Sequence, residues 1–85
     1  MPILTITEAK NKGIPKKTLQ TILFNDNVYN VRSAKEWLKK HNYSNSYWRR
    51  TENRLRFMQT PDIKGSKFYS KPINEHITFV FQDYS

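Results

Sequence analysis

Three arginines in the middle of the chain have the side chains and the spacing to bind an anion. They lie in "YWRRTENRLRFM", residues 47–58, where Arg49, Arg54 and Arg56 share one face if the segment forms a two-stranded hairpin. Tyr47 lies on the same face as this arginine row. Guanidinium groups bind phosphate oxygens, and an exposed aromatic ring stacks on bases or sugars. The pattern therefore predicts a nucleic-acid-binding surface on one side of the hairpin.

The same arginines have a second interpretation that involves no ligand. Charged side chains on a strand keep an exposed sheet face soluble and prevent aggregation through its edge. Both interpretations stay open for the arginine row. A polyanionic partner is favoured by the charge, because the net charge is +8 and residues 32–56 hold eight basic residues against two acidic ones. Further candidate binding residues in this segment are Arg50, Lys39, Lys40 and Lys35.

The hairpin itself follows from the alternation of its side chains. With Glu52 and Asn53 as a two-residue loop, Trp48, Leu55 and Phe57 point to one side and the arginine row points to the other. A three-residue loop would shift the register and mix apolar and charged side chains on both faces. The clean separation favours the two-residue loop.

A short helix precedes the hairpin and is predicted over residues 34–42. Ser33 is the expected N-cap, because Glu36 three residues later completes a capping box. Asn42 is the expected left-handed residue after the last turn, with Tyr43 folding back against the helix. The positions at helical spacing on one face are Ala34, Trp37, Leu38 and His41.

A second hairpin is predicted in "SKFYSKPINEHITFVFQ", residues 66–82, with Asn74 and Glu75 as its loop. This register places Tyr69, Ile73 and Val80 on the outer face. Pro72 indicates an edge strand, because proline donates no hydrogen bond to a neighbouring strand.

The predicted fold class is α+β. One central short helix at about 34–42 packs on a mainly antiparallel sheet of about four strands, which includes the two C-terminal hairpins. Residues 1–85 form one small domain, with an N-terminal arm or packing segment at 1–27 and an α+β body at 28–85. Residues 15–20 are expected to be a short helix or turn that leads into an extended stretch at 21–24.

The segments "AKEWLKKHNY" and "TENRLRFMQT" resemble a small domain that recurs in uncharacterised proteins of tailed phages and large DNA viruses. The resemblance covers about residues 30–83, and Asn42 stands where a glycine is usual. It carries no catalytic motif, and it implies a viral, virion-associated protein. The matching positions are Ala34, Lys35, Trp37, Leu38, His41, Tyr43, Thr51, Asn53, Arg56, Phe57 and Gln59.

An enzyme is not expected. The carboxylates are few and lie mostly in predicted caps and turns, and only two glycines exist, so there is no glycine-rich phosphate loop. No cofactor and no metal site are expected, because cysteine is absent and His41 and His76 lack ligand spacing.

No segment has the signature of a secretion signal or a membrane span. The expected location is a virion, or the cytoplasm or nucleus of an infected host cell, and not outside the cell.

Two functions from different classes follow from these patterns. The first is non-specific binding of nucleic acid, with DNA as the expected partner, through the arginine-bearing hairpin. The second is a structural or adaptor role with a viral structural protein as partner and no nucleic acid. The adaptor role requires the outer face of the second hairpin to remain uncovered, whereas cover by residues 1–24 is the favoured arrangement. Homo-oligomerisation stays open.

Overall fold

Five antiparallel strands and two helices make up the computed structural model, which describes residues 3–85. The elements are α1 (Ile6–Asn11), β1 (Lys17–Asn25), α2 (Val31–Lys40), β2 (Trp48–Thr51), β3 (Arg54–Met58), β4 (Lys67–Pro72) and β5 (Ile77–Asp83). The strand order across the sheet is β2-β3-β1-β5-β4. The α+β class is therefore confirmed, and the expected four or so strands are corrected to five.

The additional strand is β1, which lies in the centre of the sheet between β3 and β5. It arises from the segment that the sequence assigned to an N-terminal packing arm. All residues from Gln20 to Phe24 are buried, so this stretch of the strand is buried on both of its faces. A strand buried on both faces shows no alternation of apolar and polar residues, which explains the ambiguity of "KKTLQTILF".

Helix α2 packs on one face of the sheet and encloses the main core. Leu38 and Ala34 of the helix are fully buried against the sheet. The ring of Phe24 makes edge-to-face contacts with Trp37 and Phe57, each with ring centroids 5.6 Å apart. The buried sheet residues of this core are Ile22, Phe24, Leu55, Phe57 and Ile77. We call the opposite side of the sheet the open face.

The first hairpin has the predicted register. Strands β2 and β3 pair Trp48 with Phe57, Arg49 with Arg56, and Thr51 with Arg54, so that Glu52 and Asn53 form the loop. Glu52 takes a positive φ of 49°, which lets the chain reverse in two residues. Leu55 and Phe57 enter the core as predicted, and the arginine row lies on the open face.

The second hairpin differs from its predicted register by one residue. The backbone N–H of Ile73 donates to the carbonyl of Ile77 over 3.0 Å, so the loop has three residues, Asn74–His76. The Asn74 side chain stabilises this loop by accepting hydrogen bonds from the N–H groups of His76 and Ile77.

This one-residue shift exchanges the faces of β4 relative to β5. Tyr69 pairs with Phe81 on the helix side, whereas Val80 pairs with Ser70 on the open face and is buried. The expected outer patch of Tyr69, Ile73 and Val80 is therefore wrong. Strand β4 does lie at the edge of the sheet, as Pro72 predicted.

Helix α2 begins three residues before the predicted start and ends two residues before the predicted end. Its N-cap is Asn30, whose Oδ1 accepts from the N–H of Ser33 over 2.8 Å. Ser33 is therefore not the cap but its partner, and its hydroxyl accepts from the N–H of Asn30 over 3.0 Å. Asn42 has the predicted left-handed conformation, with φ of 63°, and Tyr43 donates its N–H to the carbonyl of Leu38 over 2.8 Å.

A second, smaller cluster covers one end of the open face. Leu4, Ala9, Ile63 and Tyr84 are buried together, with α1 and the loop after β3 on the outside. Gln82 of β5 anchors this loop, because its amide donates to the carbonyl of Pro61 and accepts from the N–H of Ile63. The remainder of the open face, toward the loop of the first hairpin, is not covered by these elements.

The observed cap of α2 leads to a stability prediction. We expect Asn30→Ala to lower the free energy of unfolding by about 1 kcal/mol, because it removes the side chain that satisfies the N–H of Ser33. Glu36→Ala is the control, since Glu36 makes only an exposed ion pair with Arg32 at 3.6 Å, worth about 0.3–0.5 kcal/mol. Urea unfolding followed by circular dichroism measures both variants. An equal or larger loss from Glu36→Ala would contradict the assigned cap.

Candidate nucleic-acid interface

The open face arranges its side chains in rows that cross the sheet from β2 to β4. One row follows from the strand registers as Arg49, Arg56, Leu23, Thr78 and Pro72. The next row toward the loop of the first hairpin contains Thr51, Arg54 and Asn25. All three arginines thus lie on β2 and β3, at one side of this face.

Arg49 and Arg56 are directly opposite each other in the β2–β3 pair. Side chains in such positions are close neighbours on the same face, and like charges there are destabilising. Among residues 3–85, the two ion pairs join Arg32 to Glu36 and Arg50 to Asp26. Neither involves the arginine row, so no carboxylate of the described chain forms an ion pair with these facing guanidinium groups.

At the opposite corner of the sheet, an acidic residue lies between two basic residues. Asp83 is the strand-register partner of Lys17 on one side and of Lys67 on the other, although neither lysine forms an ion pair with it. The hydroxyl and the N–H of Ser85 both donate to Asp83, and together with the two lysine charges they lower the pKa of this carboxyl group. The sheet therefore places a carboxylate between the two lysines but not between the facing arginines.

Two adjoining concavities follow the first hairpin on the open face. The larger, of about 770 Å³, extends from Arg54 and Arg56 across β1 to β5. The smaller, of about 280 Å³, lies beside Tyr47 and Arg49. Thr51 and Arg56 line both, so the two concavities adjoin at these residues, and we call them together the groove. The remaining side chains of the larger concavity are Leu23, Asn25, Asn27, Glu52, Asn53, Ser70 and Val80.

The structure brings Tyr47 to the predicted face. The N–H of Met58 donates to the carbonyl of Tyr47 over 3.0 Å, which extends the β2–β3 pairing by one residue. Tyr47 is 43% exposed and lines the smaller concavity together with Arg49 and Arg56. An aromatic ring therefore borders the same groove as the arginine row.

The other predicted binding residues lie elsewhere. Arg50 pairs with Leu55 on the helix side of the sheet, and its Nε lies 4.0 Å from a carboxylate oxygen of Asp26. Lys39 and Lys40 are exposed in the last turn of α2, and Lys35 is partly buried on the same helix. Because α2 packs on the opposite face, these lysines do not border the groove.

Several groove residues were missed by the sequence interpretation. Leu23, Asn25 and Asn27 were assigned to the N-terminal packing segment, and the consecutive apolar residues Ile22, Leu23 and Phe24 gave no alternation that would separate the two faces of β1. Ser70 and Val80 were placed on opposite faces by the wrong register of the second hairpin. The structure brings all of them to the groove.

Comparisons of the chain with protein families, with curated proteins and with solved structures found no match. Within residues 3–85, no group of three histidine or acidic side chains is placed to hold a metal ion. None of the helices in the described part of the chain has the length and apolar character needed to cross a membrane.

The facing arginines predict an unusual response to charge reversal. We expect Arg56→Glu to raise the free energy of unfolding by about 0.5–1 kcal/mol at low salt, because it replaces a like-charge pair by an attractive one. Arg54→Glu is the matched control, since it changes the net charge equally but faces Thr51. Thermal unfolding at low and high salt measures both variants. Equal stability of the two variants would show that the facing arginines do not repel each other measurably.

Proposed function

We propose that this protein binds nucleic acid through the arginine row and that it does so without sequence specificity. The observation that carries the proposal is the direct pairing of Arg49 with Arg56, with no carboxylate ion-paired to either in residues 3–85. A phosphate group between or beside the two guanidinium groups would remove their repulsion. The facing arginines thus lower the stability of the sheet and form a site that can bind an anion.

Non-specific binding follows from the chemistry of the contacts. Arginine contacts to phosphate oxygens hold the ligand but carry no sequence information. The net charge of +8 attracts a polyanion at long range, and the lysines of α2 contribute to this field from the other side of the molecule. Affinity is therefore expected to fall steeply as the salt concentration rises.

The proposal includes a viral setting, which rests on the resemblance to the phage and large DNA virus domain. A small basic protein of this kind would lie between an acidic genome and the protein shell of a virion. Its role there would be to neutralise phosphates and to hold the genome near the shell.

A second function is favoured by the exposed edge of the sheet. All six residues of β4 are exposed, and they include the large aromatic side chains of Phe68 and Tyr69. An edge strand offers backbone groups for pairing with another chain. This arrangement supports an adaptor role in which β4 pairs with a second copy or with a viral structural protein.

The nucleic-acid proposal is tested by two variants of equal charge. We expect R49Q/R54Q/R56Q to lower the affinity for DNA about 30-fold or more at low salt and to reduce the slope of log K against log salt by about 2 to 3, because three phosphate contacts are lost. K35Q/K39Q/K40Q removes the same charge from α2, and we expect it to lower the affinity less than about fivefold. Those lysines contribute to the electrostatic attraction but do not contact the ligand. Fluorescence anisotropy with labelled DNA across a salt series measures both, beside circular dichroism to verify folding.

Two results would contradict the proposal. Equal losses from the two triple variants would show that only net charge matters and that the arginine row makes no particular contact. No DNA binding by the wild-type protein, together with a dimer in light scattering that persists at high salt, would favour the adaptor role.

A further inference from the structure

We propose that the ligand of the groove is a single strand of nucleic acid, with its phosphates along β2 and β3, one base stacked on Tyr47 beside β2, and the following bases over β1 and β5. This inference rests on the proposed function and specifies the ligand of the same site. It is carried by the width of the open face, the side chains that floor the groove, and the aromatic ring at its end.

The arginine row lies on a sheet face that does not fit a groove of duplex DNA. Adjacent strands are about 4.8 Å apart, so the five strands span about 19 Å. The major groove is about 12 Å wide and admits a helix or a two-stranded ribbon. The first hairpin is not a free ribbon, because β3 is also paired with β1 along Arg54–Met58. A flexible single strand can lie along the open face. A rigid duplex can contact that face only through the outer surface of the double helix.

The floor and rim of the groove are suited to unpaired bases. Leu23 and Val80, which are 7% and 8% exposed, form an apolar floor beside the arginine side. Asn25, Asn27 and Asn53 place amide groups along the same concavity. Base faces pack on apolar side chains and base edges hydrogen-bond to amides, and both are accessible only when the bases are unstacked and unpaired.

Tyr47 supplies a stacking surface at the end of the groove. Its ring is 43% exposed and borders the smaller concavity beside Arg49 and Arg56. Alternating cationic and aromatic contacts are typical of proteins that bind single strands, because phosphates meet the charges and bases stack on the rings. The order Tyr47, Arg49 and Thr51 along β2 thus places one stacking and one phosphate contact on successive positions of the same face.

The chain provides a matched control for this ring. Tyr69 is 45% exposed, almost the same as Tyr47, but its pairing with Phe81 places it on the helix side of the sheet. A tyrosine in the groove and a tyrosine away from the groove can therefore be truncated separately in the same full-length protein.

The test compares a labelled dT15 strand, a U15 strand and a 15-base-pair duplex by fluorescence anisotropy at one ionic strength. We expect the wild-type protein to bind at least one of the two single strands about tenfold or more tightly than the duplex. Tyr47→Ala should weaken single-strand binding about 5- to 150-fold, the range expected for one stacked base, and should change duplex binding less than about twofold. Tyr69→Ala should change neither. The dT15 and U15 arms distinguish DNA from RNA as the source of the strand.

Each alternative result has a defined meaning. Duplex binding as tight as single-strand binding overturns the single-strand inference and leaves the proposed function standing. Equal effects of Tyr47→Ala and Tyr69→Ala overturn the placement of the bases along the groove. Absence of binding to all three probes overturns the proposed function and this inference with it.

Discussion

The exposure of one face of the sheet follows from the small size of the helix relative to the sheet. Helix α2 has ten residues and is about 15 Å long, whereas the five strands span about 19 Å. A single helix can cover only one face of such a sheet, and the small N-terminal cluster covers only one end of the other face. The remainder of the open face is therefore left without a covering element, and it is the face to which the proposed function is assigned.

If the charged residues served only to keep the sheet soluble, positive and negative side chains could alternate on it. The sheet uses that arrangement around Asp83, which separates Lys17 from Lys67. On the open face Arg49 is opposite Arg56, and the carboxylates that border the groove, Glu52 and Asp62, form no ion pair with either arginine. The repulsive arginine pair is costly for the folded chain, and under the proposed function it would bind a phosphate while the apolar floor of Leu23 and Val80 would contact a base.

Local patterns predicted those parts of the fold that local sequence determines. The first hairpin has its predicted register because apolar and charged residues separate cleanly onto two faces, and Asn42 ends α2 as its residue type indicated. The N-cap was misplaced because both Asn30 and Ser33 are good capping residues, and only the contacts choose between them. The extended stretch expected at 21–24 is part of β1, but the strand's earlier start at Lys17 and its central place in the sheet were missed, because burial on both faces removes alternation. The second register depended on the loop that the Asn74 side chain stabilises. These errors left Leu23, Asn25, Asn27, Ser70 and Val80 out of the predicted binding surface.

The central claim is that the ligand lies along the groove on the open face. The most direct measurement is a titration of the isotope-labelled protein with a short single strand, followed by amide and arginine side-chain NMR resonances. The account predicts the largest shifts at the Nε–H groups of Arg49, Arg54 and Arg56 and at backbone amides near Tyr47 and Asn25, with small shifts in α2. Shifts concentrated in α2 or along the edge strand β4, with the arginine resonances unchanged, would contradict it.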